Sequence, residues 1–318
     1  MQILFLFIAL CASINAAATP RPPLTGAALE ERIAELSYTP WNGVSTLLEK
    51  KVELGCVTRK FELPVIEPNH EIRTISVILT TPPLARFSPL LVIAPTILGP
   101  SELENGARLH LCKQGVSSLI ADVIHSIQPP FYPDWEYEDA VDLAAIRALR
   151  TTLDFAESLP EIDRTKMGMM GLSLGGIVTS MVAAVEPDRL QAVVLVASAG
   201  NIPYSLAFST QPIIRKLRDA RMRALGWTDP AVYEAKLRET ITIDPNFFAS
   251  KIIPSHMFML MARFDKTVPI ILQKESANYF GEPEQLFVPG NHYETIFAIT
   301  QFYMKPIVQF LHLRFGQF

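Results

Sequence analysis

Met167-Gly168-Met169-Met170-Gly171-Leu172-Ser173-Leu174-Gly175-Gly176 is the stretch from which the rest of the chain can be read. Lys166 to Met170 reads as a strand, and Gly175 to Ala184 as a helix. Between them stands G-x-S-x-G. A serine placed on a tight strand-to-helix turn needs a glycine two residues to either side, because side chains there would collide with neighbouring backbone. Such a turn lifts the serine hydroxyl out of the sheet edge, at the positive end of the following helix. The bland reading is a glycine-rich turn with a bystander serine, and the residues around it decide between the two.

Working outward, apolar strands alternate with helix-length segments on both sides of this turn. Leu90 to Ala94 is wholly apolar, the mark of a strand covered on both faces. Glu104 to Gln114 reads as helix, Val116 to Asp122 as strand and Glu138 to Leu159 as a long helix. Beyond the serine come a strand at Ala192 to Val196, two helices at Pro212 to Leu225 and Pro230 to Thr240, and a strand at Ser255 to Phe264. Ile270 to Tyr279 then reads as helix, Gln285 to Val288 as strand and Thr295 to Phe315 as the last helix. Repeated βα units predict a parallel sheet with helices on both faces. Before Leu90 the pattern differs: a helix at Gly26 to Leu36, capped by Thr25, precedes two alternating stretches, Lys51 to Leu63 and Glu71 to Thr80, which read as antiparallel strands.

A serine hydroxyl is a weak nucleophile without a base, and the base needs a group to orient it. Of the six histidines, His292 follows Pro289-Gly290-Asn291 just past the last predicted strand, on the edge where Ser173 falls. His110 lies in a helix pattern, His256 at the start of a strand, His312 among apolar helix neighbours and His70 in a turn. His125, just past the strand ending at Asp122, is the rival that could line the same pocket. Asp265 directly follows the apolar run Met257 to Phe264, so it falls at the carboxyl end of the penultimate strand. Glu294, beside His292, is the lower-ranked acid. Ser173, Asp265 and His292 therefore stand in that chain order, each at a strand end.

With Gly171-Leu172-Ser173-Leu174-Gly175-Gly176, Asp265-Lys266-Thr267-Val268-Pro269 and Gly290-Asn291-His292, the sequence resembles an α/β-hydrolase of the esterase/dienelactone-hydrolase-like kind from about Leu90 onward. The resemblance implies an α/β-hydrolase fold, a mostly parallel doubly wound sheet with a helical cap inserted at about residues 201–243. It also implies a catalytic triad in which Ser173 attacks an acyl carbonyl, His292 shuttles the proton and Asp265 holds the imidazole. Backbone N–H groups would form the oxyanion hole, one from Leu174 and one from the loop Pro95-Thr96-Ile97-Leu98. Pro95 has no N–H, which leaves Thr96 or Ile97, with Ile97 favoured by its position past the strand. That loop departs from the His-Gly or Gly-Gly pattern usual in the family. The substrate expected is a small-molecule ester or acyl compound. A serine peptidase, a thioesterase and a non-catalytic binding protein on the same fold are the alternatives. A haloalkane dehalogenase would carry a carboxylate where Ser173 stands.

Composition narrows the classes further. Across 318 residues, 28 Lys and Arg stand against 32 Asp and Glu, giving a net charge of −4. With no basic block, nucleic acid is not expected as a partner. The 49% hydrophobic content is that of a chain with a large core rather than a disordered one. The histidines and cysteines show no metal-ligand spacing, so neither a metal nor a cofactor is expected. Residues 1–18 carry no charge, hold an apolar run from Ile3 to Leu10 and end in Ala16-Ala17-Ala18, the pattern of a cleaved secretory signal. The run is too short for a membrane anchor, so a secreted or periplasmic domain at 19–318 is expected. Removing the signal leaves Cys56 in a strand pattern and Cys112 in a helical one; these read as two separate buried thiols, with a disulfide between them as the alternative in an oxidising compartment.

Overall fold

The computed structural model describes residues 18–123 and 138–316. Its strands are β1 (Thr46–Glu53), β2 (Cys56–Ile66), β3 (Ile72–Thr81), β4 (Ser88–Ala94), β5 (Ser117–Asp122), β6 (Ile162–Leu172), β7 (Ala192–Val196), β8 (Met257–Ala262) and β9 (Glu284–Val288). They form one sheet in the order β1-β2-β3-β5-β4-β6-β7-β8-β9. β1, β2 and β3 pair antiparallel and β3 joins β5 antiparallel; from β5 to β9 all neighbours are parallel. The helices are α1 (Gly26–Glu35), α2 (Glu102–Lys113), α3 (Glu138–Ser158), α4 (Leu174–Val185), α5 (Ile202–Phe208), α6 (Pro212–Ala224), α7 (Pro230–Thr240), α8 (Ile270–Tyr279), α9 (His292–Phe297) and α10 (Met304–Phe315).

β4 shows why the parallel half is buried on both sides. Leu90, Val92 and Ala94 point into a core shared with α1, α3 and α4. Leu91 and Ile93 point the other way, into a core shared with α2 and α10. A strand with two apolar faces is stable only between two helix layers, at roughly 1.5–3 kcal/mol per large aliphatic side chain removed from water. The chain leaves β4 for β5 on one side and reaches β6 on the other. The carboxyl ends of β4 and β6 therefore flank the point where strand order reverses, and there the sheet opens a crevice.

Four expectations are corrected. The stretch Lys51 to Leu63 is not one strand: it is divided between β1 and β2 by a turn at Leu54 and Gly55, both at positive φ. Leu54 hid that turn, since the left-handed region ordinarily selects Gly, Asn or Asp. Cys56 and Cys112 are joined in a disulfide, with Cα atoms 6.3 Å apart. Strand β2 and helix α2 bring together residues that lie 56 positions apart, which no local pattern shows. The C-terminal helix is broken, α9 giving way to a π-helical turn over residues 299–303 before α10. Thr25 stands at the first position before α1 with extended backbone, but its side chain makes no capping bond. The helix α5, between β7 and α6, had no counterpart in the periodicity. Residues 1–17, the body of the expected signal segment, lie outside the described residues. No helix among the described residues is long and apolar enough to cross a membrane.

Candidate active site

β6 ends at Leu172, and the chain turns at once into α4. Ser173 takes φ 54° and ψ −117°, a region costing a non-glycine residue about 1–3 kcal/mol. Contacts on every side hold it there. The Ser173 N–H donates to the Val196 carbonyl at 2.9 Å, and its own carbonyl accepts from Gly176 at 2.9 Å and Ile177 at 3.2 Å. A Cβ on Gly171 would come 2.3 Å from the Gly175 carbonyl oxygen. One on Gly175 would come 2.1 Å from the Ala94 oxygen and 2.4 Å from that of Pro95. Both glycines are thus required by close approach, and the second lets the start of α4 lie against the end of β4.

His292 comes from the loop after β9 and opens α9. Asn291 caps that helix in a reciprocal arrangement: its side chain accepts the Glu294 N–H at 3.0 Å, while the Glu294 carboxylate accepts the Asn291 N–H at 2.9 Å. Glu294 is therefore a capping residue rather than a partner of the imidazole. The His292 Nε2 lies 2.9 Å from the Ser173 Oγ, and its Nδ1 lies 2.7 Å from the Asp265 Oδ2. The side chain of Asp265 is wholly buried and that of His292 is 5% exposed.

A buried carboxylate must be hydrogen-bonded to remain in such a place. Asp265 Oδ1 accepts the N–H groups of Thr267, at 2.7 Å, and Val268, at 2.9 Å. The Gln273 amide on α8 steadies the same loop, donating to the Val268 carbonyl at 2.7 Å and accepting the Ala262 N–H at 3.2 Å. Asp265 thus has one oxygen fixed by the backbone and the other directed at the imidazole.

The loop after β4 lies across from the start of α4. The Leu98 N–H turns back to the Thr96 hydroxyl and the Gly99 N–H to the Thr96 carbonyl. Among the described residues, the N–H groups of Thr96, Ile97 and Leu174 donate to no protein acceptor. Leu174 is the first residue of α4, where N–H groups have no partner within the helix.

Two cavities meet at Ser173. The first, about 100 Å³, lies toward α5 and α6 and is lined by Leu174, Ile177, Ile202, Leu206, Ile214 and Val268 among others. The second, about 140 Å³, lies toward α9 and is lined by Leu98, Leu103, His292, Tyr293, Ile296 and Phe297 among others. Ser173, Ile97 and Gln211 border both.

Among the described residues, the other histidines stand apart from Ser173. His110 is on α2, His312 on α10, His70 in a turn at positive φ, and His256 holds the Leu190 carbonyl through Nδ1 at 2.9 Å. His125 and the loop carrying Trp135 lie outside the described residues. Three participants escaped the sequence. Gln211 precedes Pro212, and a polar residue before a proline-initiated helix is a capping signal that points to it. Gln273 sits within a helix with no distinguishing context. Asp142, buried on α3, lines the first cavity, and nothing in the sequence set it apart from the other carboxylates of that helix. Among the described residues no cluster of His, Cys, Asp and Glu could hold a metal ion.

No family model matches the chain, and no curated protein matches it. Solved structures do. Acetyl xylan esterase 1 from a Thermoanaerobacterium species superposes with a TM-score of 0.68 at 16% identity, covering 94% of this chain and 96% of that one. An acetyl xylan esterase from a Paenibacillus species gives 0.67 at 16%, covering 93% and 97%. An S-formylglutathione hydrolase from Agrobacterium tumefaciens gives 0.59 at 13%, covering 85% and 100%. These likenesses show the fold: the chain has the α/β-hydrolase fold, with its nine-stranded, mostly parallel sheet between helix layers.

Proposed function

We propose that this protein is a serine hydrolase that cleaves carboxylic esters through an acyl-enzyme intermediate. The observation that carries the reading is the continuous hydrogen-bonded line Ser173–His292–Asp265, 2.9 and 2.7 Å long, at the sheet's switch point. Ser173 Oγ attacks the ester carbonyl while His292 Nε2 takes its proton. The tetrahedral oxyanion is held by the N–H of Leu174 and that of Ile97 or Thr96, with the dipole of α4 adding to the same field. His292 then gives the proton to the departing alkoxide oxygen, leaving Ser173 acylated. Water, activated by the same imidazole, releases the acid and restores the serine. Asp265 fixes the tautomer that presents a bare Nε2 to the serine and stabilises the imidazolium that forms. The acetyl xylan esterases among the structures of similar fold support an ester substrate, while the S-formylglutathione hydrolase keeps a thioester as the second reading.

The helices α5 to α7 act in this reading as a cap, since Ile202, Leu206 and Ile214 stand over Ser173. Secretion of the mature domain is supported by the A-x-A segment ahead of Thr19 and by the Cys56–Cys112 bond, which persists only in an oxidising compartment. The deciding experiment is fluorophosphonate labelling of the purified protein, read by intact mass, beside Ser173→Ala. One adduct on the parent and none on the variant is the expected result. A folded parent that takes no adduct would overturn the reading.

A further inference from the structure

Gln211 stands where the two cavities join. Its side chain is buried and held at both ends: Oε1 accepts the Ile214 N–H at 3.0 Å, and Nε2 donates to the Tyr293 hydroxyl at 2.8 Å. Its backbone N–H donates to the Ser209 hydroxyl at 3.2 Å. An amide fixed in this way is a wall rather than a mobile contact, and it runs from the first turn of α6 to the residue after His292. Tyr293 in turn meets the His292 ring edge to face, at 5.7 Å between centroids. The wall is thus continuous with the imidazole that separates attacking from leaving oxygen.

The direction of chemistry says which half of a substrate goes where. A leaving alkoxide must face the His292 Nε2 that protonates it, so the alcohol half belongs in the cavity lined by His292, Tyr293, Ile296 and Phe297. The acyl half then extends under α5 and α6, past Leu174, Ile177 and Ile214. Among the described residues, the acyl wall is mainly aliphatic, interrupted by Ser205, Ser209 and Thr267, and the alcohol wall is aliphatic and aromatic. The one carboxylate on the acyl side, Asp142, is itself buried. Cavities of 100 and 140 Å³ compare with an apolar cavity of about 150 Å³ that admits benzene, so each suits a short chain or a single ring.

Resting on the ester-hydrolase reading, we propose that the substrate is a small ester apolar in both its acyl and alcohol halves, and that Gln211 is the specificity-determining partition that limits acyl length. The alcohol cavity opens to solvent at Phe297, but its inner wall of Leu103 and Ile296 gives an apolar alcohol more contact than a hydroxylated sugar.

The test measures kcat/KM for p-nitrophenyl acetate, butyrate, hexanoate and octanoate, then for methyl, butyl and benzyl butyrate, and for acetylated xylose. The parent should prefer butyrate or hexanoate to octanoate by at least about tenfold and benzyl butyrate to acetylated xylose by about a hundredfold. Gln211→Ala joins the cavities and should shrink the butyrate-over-octanoate ratio about tenfold, while Gln211→Met, which keeps the bulk, should preserve it. If Gln211→Ala does not fold, Gln211→Ser, which shortens the side chain but keeps a capping oxygen for α6, should move the ratio the same way, by less. A parent that favours acetylated xylose or a charged acyl group, or a ratio indifferent to all three variants, overturns the proposal. Fluorophosphonate labelling separates the failures: a labelled Ser173 with no such preference defeats this proposal alone, whereas an unlabelled folded protein defeats the ester reading beneath it.

Discussion

Two buried aspartates, Asp265 after β8 and Asp244 at the foot of the α5–α7 segment, solve the same physical problem for different ends. The side chain of each is fully buried. Each has backbone N–H donors: Thr267 and Val268 for Asp265, and Asn201, Ile202 and Asn246 for Asp244. They differ in the partner. Asp265 faces the imidazole of His292. Asp244 faces Arg21, 3.2 Å away at Nε and always charged. Arg21 also donates to the Ile241 carbonyl, and Asp244 holds the N–H groups that start α5. One pair handles the proton in the proposed reaction; the other ties the chain before α1 to both ends of the α5–α7 segment. In the proposed reaction a buried carboxylate orients an imidazole at one place, and at the other the same group fastens the chain through an arginine.

The largest effect that would test this contrast is expected from Asp265→Asn. The amide keeps the shape but favours the wrong imidazole tautomer, and kcat/KM for p-nitrophenyl butyrate should fall by about 10⁴ with the melting temperature little changed. Asp244→Asn should do the reverse. It leaves Arg21 buried without its counter-charge, which costs about 3–5 kcal/mol in denaturant unfolding. The folded fraction should still turn over at nearly the parental rate. If Asp244→Asn abolishes turnover in protein shown to be folded, the hinge is part of the chemistry and the contrast fails.

A remote stabiliser calibrates that second result. Cys56→Ser with Cys112→Ser removes a bond that closes a long loop far from Ser173, and about 4 kcal/mol of stability should go with it. Turnover at a temperature where the variant is folded should stay parental. Matching losses of stability in the cysteine and Asp244 variants, with matching retention of turnover, would mark both as scaffolding.

How much of this was legible in the sequence follows from what each feature depends on. The parallel strands and the positions of Ser173, Asp265 and His292 at their ends could be read because strand ends are local and their order in a βα fold is constrained. The Leu54–Gly55 turn was lost to a leucine in an unusual backbone region. The disulfide, the Arg21–Asp244 pair and the Gln211–Tyr293 bond join residues 56, 223 and 82 positions apart, and each exists only once tertiary packing has placed both partners. The Asn291 and Glu294 capping box was readable, an N-x-x-E ahead of a helix, and would have removed Glu294 as a rival acid.

The smallest expected effect concerns Glu275, the neighbour that distinguishes the Asp244 cluster from the Asp265 corner most finely. Its carboxylate accepts the Arg21 N–H at 3.1 Å, and burial, with Asp244 nearby, raises its pKa above the ordinary glutamate value. A carboxyl raised by folding binds its proton more tightly in the native state. Its favourable contribution is therefore complete below the ordinary carboxyl range and is lost as pH rises through the native value. At neutral pH the ionised group is a cost. Glu275→Gln keeps an acceptor for the Arg21 N–H and removes that cost, so the stability of the variant relative to the parent should rise from pH 4 to pH 7. Urea melts of both proteins at pH 4, 5.5 and 7 measure the difference. A gap that stays constant with pH would mean Glu275 is ionised alike in folded and unfolded chains. Asp244 would then meet Arg21 in a solvated rather than a dry hinge, and the fastening would be far weaker than its burial implies.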